Sequence, residues 1–194
     1  EFPRDNRMPD KPTTSASQPA AGQPESWSPV VAPGQKLDPS KVRDEANELR
    51  DKGEYQAALD RYLWYWNHAL EYDRGLFGVR LSFMLSEWVE LGRRYPAAKQ
   101  ALLDIRARDA QALLDGRGYF NLFMDLSSLN QYLQDENATY EVFMKLRQQD
   151  PALARQCFWA AQELLVKRGE YALCAEYLGD PEAAFNRIRL QWEM

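Results

Sequence analysis

A chain of 194 residues with 45% apolar side chains can bury one substantial core, which sets the expectation of a single folded domain. Its 29 acidic against 24 basic side chains give a formal net charge of -5, so no concentrated basic face for nucleic-acid phosphates is expected. No apolar run approaches the roughly 20 residues that a membrane-crossing helix needs, and Glu1-Phe2-Pro3-Arg4 lacks the charged-then-apolar order of an export signal.

Residues 1–37 differ in composition from the rest of the chain. They hold Pro3, Pro9, Pro12, Pro19, Pro24, Pro29 and Pro33 among Ser, Thr, Ala, Gln and Gly. The stretch KPTTSASQPAAGQPES cannot bury enough apolar area to offset its ordering entropy and reads as a flexible tether. Such tethers follow removed export signals or membrane anchors, and equally occur as cytoplasmic tails, so the compartment stays open. Trp27, with Val30 and Val31, is the one apolar knot in the tail and a candidate to dock on the domain.

Residues 38–194 read as helix after helix, about nine in all. Asp38-Pro39 is a start signal, an N-cap followed by proline at the first helical position. The helix carries Val42, Ala46 and Leu49 on one face and stops at Gly53. A second begins near Tyr55, with Tyr55, Ala58, Leu59, Tyr62, Trp66, Ala69 and Leu70 at helical spacing. The segment 76–94 is apolar almost all round and predicts one helix covered on several sides. Pro96 opens a fourth helix to about Leu114, ended by Gly116 and Gly118; a fifth spans Tyr119 to Gln134 and a sixth Ala138 to Gln149. Asp150-Pro151 caps a seventh that reaches Lys167, an eighth spans Tyr171 to Leu178, and Asp180-Pro181 starts the last, ending at Met194. Strand and hairpin signals are absent. The expected fold class is all-α.

The hinge GEY occurs twice, at Gly53 and at Gly169. In a helical hairpin the glycine lets the chain reverse, the tyrosine packs between the paired helices, and a small residue three positions on marks their close approach: Ala58 and Cys174. Ala46, Leu49, Tyr55, Ala58, Leu59 and Tyr62 around the first hinge resemble the tetratricopeptide repeat. Gln162, Leu165, Tyr171, Cys174 and Leu178 resemble it more weakly. They lack the small residue on the first helix and the aromatic on the second, and the spacing between hinges is no multiple of the roughly 34-residue period. The resemblance implies antiparallel hairpins stacked as a short α-α superhelix that binds a protein or peptide. It also implies a site on the inner face of the first helix. There Arg43 and Asn47 occupy positions similar to those that hold a peptide's terminal carboxylate in some members, and Arg50 extends the face.

The chemical inventory is thin. His68 is the one histidine, and no HExxH, CxxC, phosphate-cradling glycine loop or GxSxG is present. No cofactor, metal site or catalytic residue is therefore expected. Cys157 and Cys174, on helices hinged at Gly169, differ in height by roughly 10 Å and read as unbridged core residues. The carboxylates Asp104, Asp109, Asp44 and Glu45 are expected on solvated faces, and Arg93, Arg94, Lys99, Arg106, Arg108 and Arg117 interleave with acids as salt-laced helices do. Trp64 points away from the stripe of Tyr55, Tyr62 and Trp66. It is expected either under helix 76–94 or, with His68 one turn on, as an exposed anchor for a partner groove.

The function these features favour is a non-enzymatic scaffold or adaptor for a protein or peptide. Two alternatives stand beside it: a small-ligand binder or enzyme using an aromatic-lined cavity around Tyr62, Trp66, Trp88 and Phe120, and a homo-oligomeric structural subunit that self-associates through helices 76–94 and 119–134.

Overall fold

The computed structural model describes residues 27–179 apart from Pro33. Among these residues the chain is all-α, with no strand. The helices are α1 (Pro39–Lys52), α2 (Tyr55–Tyr72), α3 (Phe77–Leu81), α4 (Phe83–Arg94), α5 (Pro96–Ala112), α6 (Phe120–Tyr132), α7 (Glu136–Gln149), α8 (Pro151–Lys167) and α9 (Tyr171–Leu178). The expected terminal helix from Asp180 lies outside the described residues, as does the tail before Trp27.

The start signals act as the sequence implies. Asp38 Oδ1 accepts the Ser40 amide at 3.0 Å and Asp150 Oδ1 the Leu153 amide at 2.9 Å, each ahead of a proline that lacks the donor its position would leave unpaired. The two GEY hinges end their helices alike. Gly53 and Gly169 lie at φ +82° and +77°, the left-handed region that glycine enters without a Cβ clash. Gly53 N donates to Arg50 O and Glu54 N to Leu49 O; Gly169 N donates to Val166 O and Glu170 N to Leu165 O. This reciprocal pattern satisfies the last carbonyls of α1 and α8. A third turn of the same kind closes α6 with Gln134 at φ +59°, Gln134 N donating to Gln131 O and Asp135 N to Asn130 O.

The segment 76–94 is not one helix. A single 3-10 turn at Arg74–Leu76 leads into α3, and the chain breaks at Ser82, whose φ of -125° and ψ of -87° are non-helical. Ser82 Oγ donates to the Gly78 carbonyl at 2.6 Å, a local bond that competes with the helical ladder. Nor is the segment covered all round, since Phe83 is 64% exposed. Likewise the helix from Pro96 ends at Ala112 and continues as one wide turn, Leu113–Arg117, in which Gly116 takes φ +75°.

Helices adjacent in the chain pack in pairs: α1 with α2, α4 with α5, α6 with α7, α8 with α9. The first member of each pair also touches the first member of the pair before it, α1 to α4, α4 to α6 and α6 to α8, as well as that pair's second helix. The pairs run antiparallel: Glu45 meets Arg61 and Asn47 meets Tyr62 across Gly53, and Phe158 stacks on Tyr177 across Gly169 at 4.8 Å between ring centres.

Two hydrophobic clusters result. One joins α1 to α5 and Leu129 around Tyr62, Tyr65, Met84, Leu85 and Trp88. Tyr62 and Trp88 stack with centroids 5.9 Å apart, and Trp88 Nε1 donates to the Ala98 carbonyl at 3.0 Å, so the ring is buried with its polar atom satisfied. The other joins Leu113 to α6 through α9 around Phe123, Phe143, Cys157 and Phe158. Cys157 and Cys174 are buried and unbridged in it.

Candidate functional site

An open cleft of about 570 Å³ crosses the first helices of three successive pairs. α1 contributes Arg50; α4 contributes Ser86, Glu87, Val89, Glu90 and Arg93; α6 and its end contribute Gln131, Tyr132 and Gln134. Gln134 lines it from the left-handed turn that closes α6.

The expected inner-face residues of α1 border this cleft, but they are not free donors. Arg43 Nε donates to Glu87 Oε2 at 2.8 Å and its Nη2 to Glu87 Oε1, a two-pronged pair that neutralises the guanidinium. Asn47 Oδ1 accepts both the Tyr62 hydroxyl at 2.6 Å and Arg50 Nη1 at 3.1 Å. Arg50 also pairs with Asp51 at 2.9 Å. A carboxylate arriving here must displace Glu87 or share Arg50 with Asp51. The simple carboxylate clamp is corrected to a paired, mixed-charge wall. Burial raises the Tyr62 hydroxyl well above its ordinary pKa, so it stays a donor to Asn47. Farther along α4 Glu90 accepts from Arg93 at 2.7 Å.

Trp64 and His68 form a different constellation. Trp64 is 4% exposed, so the exposed-anchor expectation is corrected, and its ring neighbour outside α2 is Trp27 of the tail, 6.3 Å away and edge-on. His68 lies 5.6 Å from the Trp64 ring, with Nδ1 3.0 Å from Glu71 Oε1. Arg43, Asn47 and Arg50 face α4 and the α2 tyrosine, whereas Trp64 faces Trp27 of the tail with His68 beside it, so the five candidates divide into two groups.

Other expectations shift as well. Asp109 is not on a solvated face: it is 1% exposed and joins a buried ionic group with Arg108, Arg80 and Asp125. Glu45 stays partly solvated, as expected, while pairing with Arg61. The basic residues do pair with acids: Arg93 and Arg94 with Glu90, Arg106 with Asp135, Arg117 with Asp115. Tyr62 and Trp88 fill space against each other, Arg80 covers the Trp66 ring at 4.2 Å, and Phe120 is 37% exposed outside both clusters, so these four rings do not line one shared cavity. Glu87, the residue that decides the state of Arg43, carries no sequence signal: it is far along the chain, on a helix whose inner face only folding reveals.

The geometry defines a class, an all-helical protein of packed adjacent helix pairs. No protein-family model, curated protein or solved structure matches the chain. Among the described residues no group of three or more His, Cys, Asp or Glu could hold a metal ion. No described helix is long and apolar enough to cross a membrane.

Proposed function

We propose that the chain is a non-enzymatic scaffold, similar in plan to a tetratricopeptide-repeat stack, that holds a protein or peptide segment in the cleft across α1, α4 and α6. The observation that carries this reading is the contact order of the helices. Each pair's first helix touches the first helix of the pair before it, so their inner faces form one continuous surface, and the cleft lies on it. Repeat stacks of this design bind extended ligands on that surface. The lining suits a polar segment carrying both charges, which would exchange into the Arg50–Asp51 and Arg93–Glu90 pairs while Tyr132 supplies an aromatic contact.

The test is selection of peptides from a random display library on the immobilised full chain, followed by Ser86→Trp, which fills the exposed middle of the cleft. Selected peptides are expected to lose about tenfold or more in affinity on Ser86→Trp and to weaken on Arg50→Ala, with the thermal midpoint unchanged. Peptides that bind both variants as they bind the parent would refute the assignment, and so would a library that yields no binder.

A further inference from the structure

Residues 27–32 approach the helices without regular secondary structure, and Trp27 packs on α2. The Trp27 ring meets Trp64 edge-on at 6.3 Å with the planes 85° apart, and the Arg61 guanidinium lies over its face at 4.1 Å. Arg61 is itself fixed. Nε and Nη2 both donate to Glu45 Oε1, at 3.0 and 2.8 Å, and Nη1 donates to the Ala57 carbonyl at 3.4 Å. Trp64 is in turn flanked by His68 and Tyr72, with ring centres 5.6 and 5.7 Å away. These contacts make a socket for an indole: a pinned cation on one wall, where the ring face gains a cation–π contact, and an aromatic ring on the other.

The rest of the segment is loosely held. Pro29 is half-buried, but Val30 is fully exposed and Val31 and Ala32 lie in solvent. Among the described residues the backbone bond of this stretch is the local one from Gln35 N to Ala32 O. No ladder ties it to a helix, so withdrawing Trp27 breaks no helical hydrogen bond and uncovers Trp64, which is otherwise buried.

We propose that the face of α2 built by Arg61, Trp64 and Tyr72 is a binding site for a tryptophan carried on a non-helical, proline-containing peptide segment, and that Trp27-Ser28-Pro29 of this chain is its resident competitor. The site is made of different residues from the α1–α4–α6 cleft, so either assignment stands or falls without the other. An external ligand of the same chemistry must outcompete an arm tethered close to the socket. The effective concentration of such an arm is in the millimolar range, and the apparent affinity of an external ligand falls by one plus the ratio of that concentration to the arm's dissociation constant.

The probe is a synthetic peptide of residues 24–32, blocked at both ends, titrated into the full-length chain carrying Trp27→Ala and followed by amide chemical shifts. Binding in the range of hundreds of micromolar is expected, with shifts on Arg61, Trp64 and Tyr72. The unaltered chain is expected to bind about three- to tenfold more weakly, because its own Trp27 occupies the socket. Replacing Trp with Ala in the peptide, or adding Arg61→Gln to the protein, is expected to abolish or weaken binding. Equal affinity of the Trp27→Ala and unaltered chains would overturn the competitor role. No binding to a Trp27→Ala chain that keeps its helical signal and melting temperature would overturn the site. A concentration-dependent dimer of the unaltered chain that Trp27→Ala abolishes would overturn the intramolecular arm in favour of exchange between copies.

Discussion

Asp109→Asn replaces a buried carboxylate by a neutral group of the same shape. Oδ1 of Asp109 receives Arg108 Nε at 2.8 Å and Nη2 at 2.6 Å, while Oδ2 is buried with no hydrogen-bond partner. Burial pushes the acid from 3.8 up to about 6; Arg108 and Arg80 pull it down, and the Asp125 charge adds to the rise. The folded state therefore holds a proton that the unfolded state has released between these two values. The stability contributed by the protonated carboxyl is present in acid and is lost as pH rises through the folded value. At 1.36 kcal/mol per pH unit, a rise of about two units gives the asparagine variant roughly 2–3 kcal/mol over the parent between pH 4 and pH 7. For a chain of this size that is a relative change in melting temperature of roughly 5–10 °C. Urea unfolding of both proteins at pH 4, 5, 6 and 7 reads the difference directly, because all other titrating groups are common to both. A difference that is flat in pH, or that favours the parent as pH rises, would mean that the two guanidiniums outweigh burial and hold the carboxylate ionised.

Asp125→Ala is expected to cost about 3–5 kcal/mol in the same assay, since it strands Arg80, a guanidinium buried against Trp66 and Phe77; a loss under about 1 kcal/mol would show that Arg80 finds water instead. Gly53→Ala and Gly169→Ala are each expected to cost about 1 kcal/mol, and nearly equally. A Cβ would meet nothing within 4 Å at Gly53 and only the Tyr171 ring at 4.0 Å at Gly169, which leaves backbone strain as the whole cost. The Cys157 thiol, buried and pushed up to about 12, is expected to react with a disulfide reagent at pH 8 only at the rate of unfolding. Rapid labelling of the folded chain would contradict its burial.

Much of the helical order was legible because the signals were local. Asp38-Pro39, Pro96 and Asp150-Pro151 opened helices where read, and both GEY hinges reversed the chain with the same pair of hydrogen bonds. The turn at Gln134 was invisible as such, because glutamine rarely enters the left-handed region and nothing in its spelling marks a hinge. The break at Ser82 was hidden inside a continuous apolar run, where hydropathy reports burial but not backbone continuity. The candidate site was half legible. Composition and the repeat resemblance put Arg43, Asn47 and Arg50 on one face, but whether those donors are free depends on Glu87, which only tertiary contact brings to Arg43. Trp64 pointed away from the core stripe as the wheel required, but the wheel does not include the tail that covers it.

The buried ionic group stands where the two hydrophobic clusters meet, and that position argues for its role. Asp109 lies on α5 between Ile105 of one cluster and Leu113 of the other; Asp125 lies on α6 between Leu122 and Leu126 of the second cluster, one turn before Leu129 of the first. Arg80 reaches in from α3 and is the cation that pairs with Asp125, while its Nη1 contacts the Trp66 carbonyl at 3.5 Å. Apolar residues replacing Arg80 and Asp125 together would weld the clusters more strongly, because a buried ion pair rarely repays its desolvation, whereas removing one partner strands the other. What the charges add is register. An aliphatic seam tolerates sliding of α6 along α3 and α5, whereas a guanidinium and a carboxylate accept one alignment and heavily penalise the next turn. The polar seam thus gives up interior stability for one fixed alignment of α6 against α3.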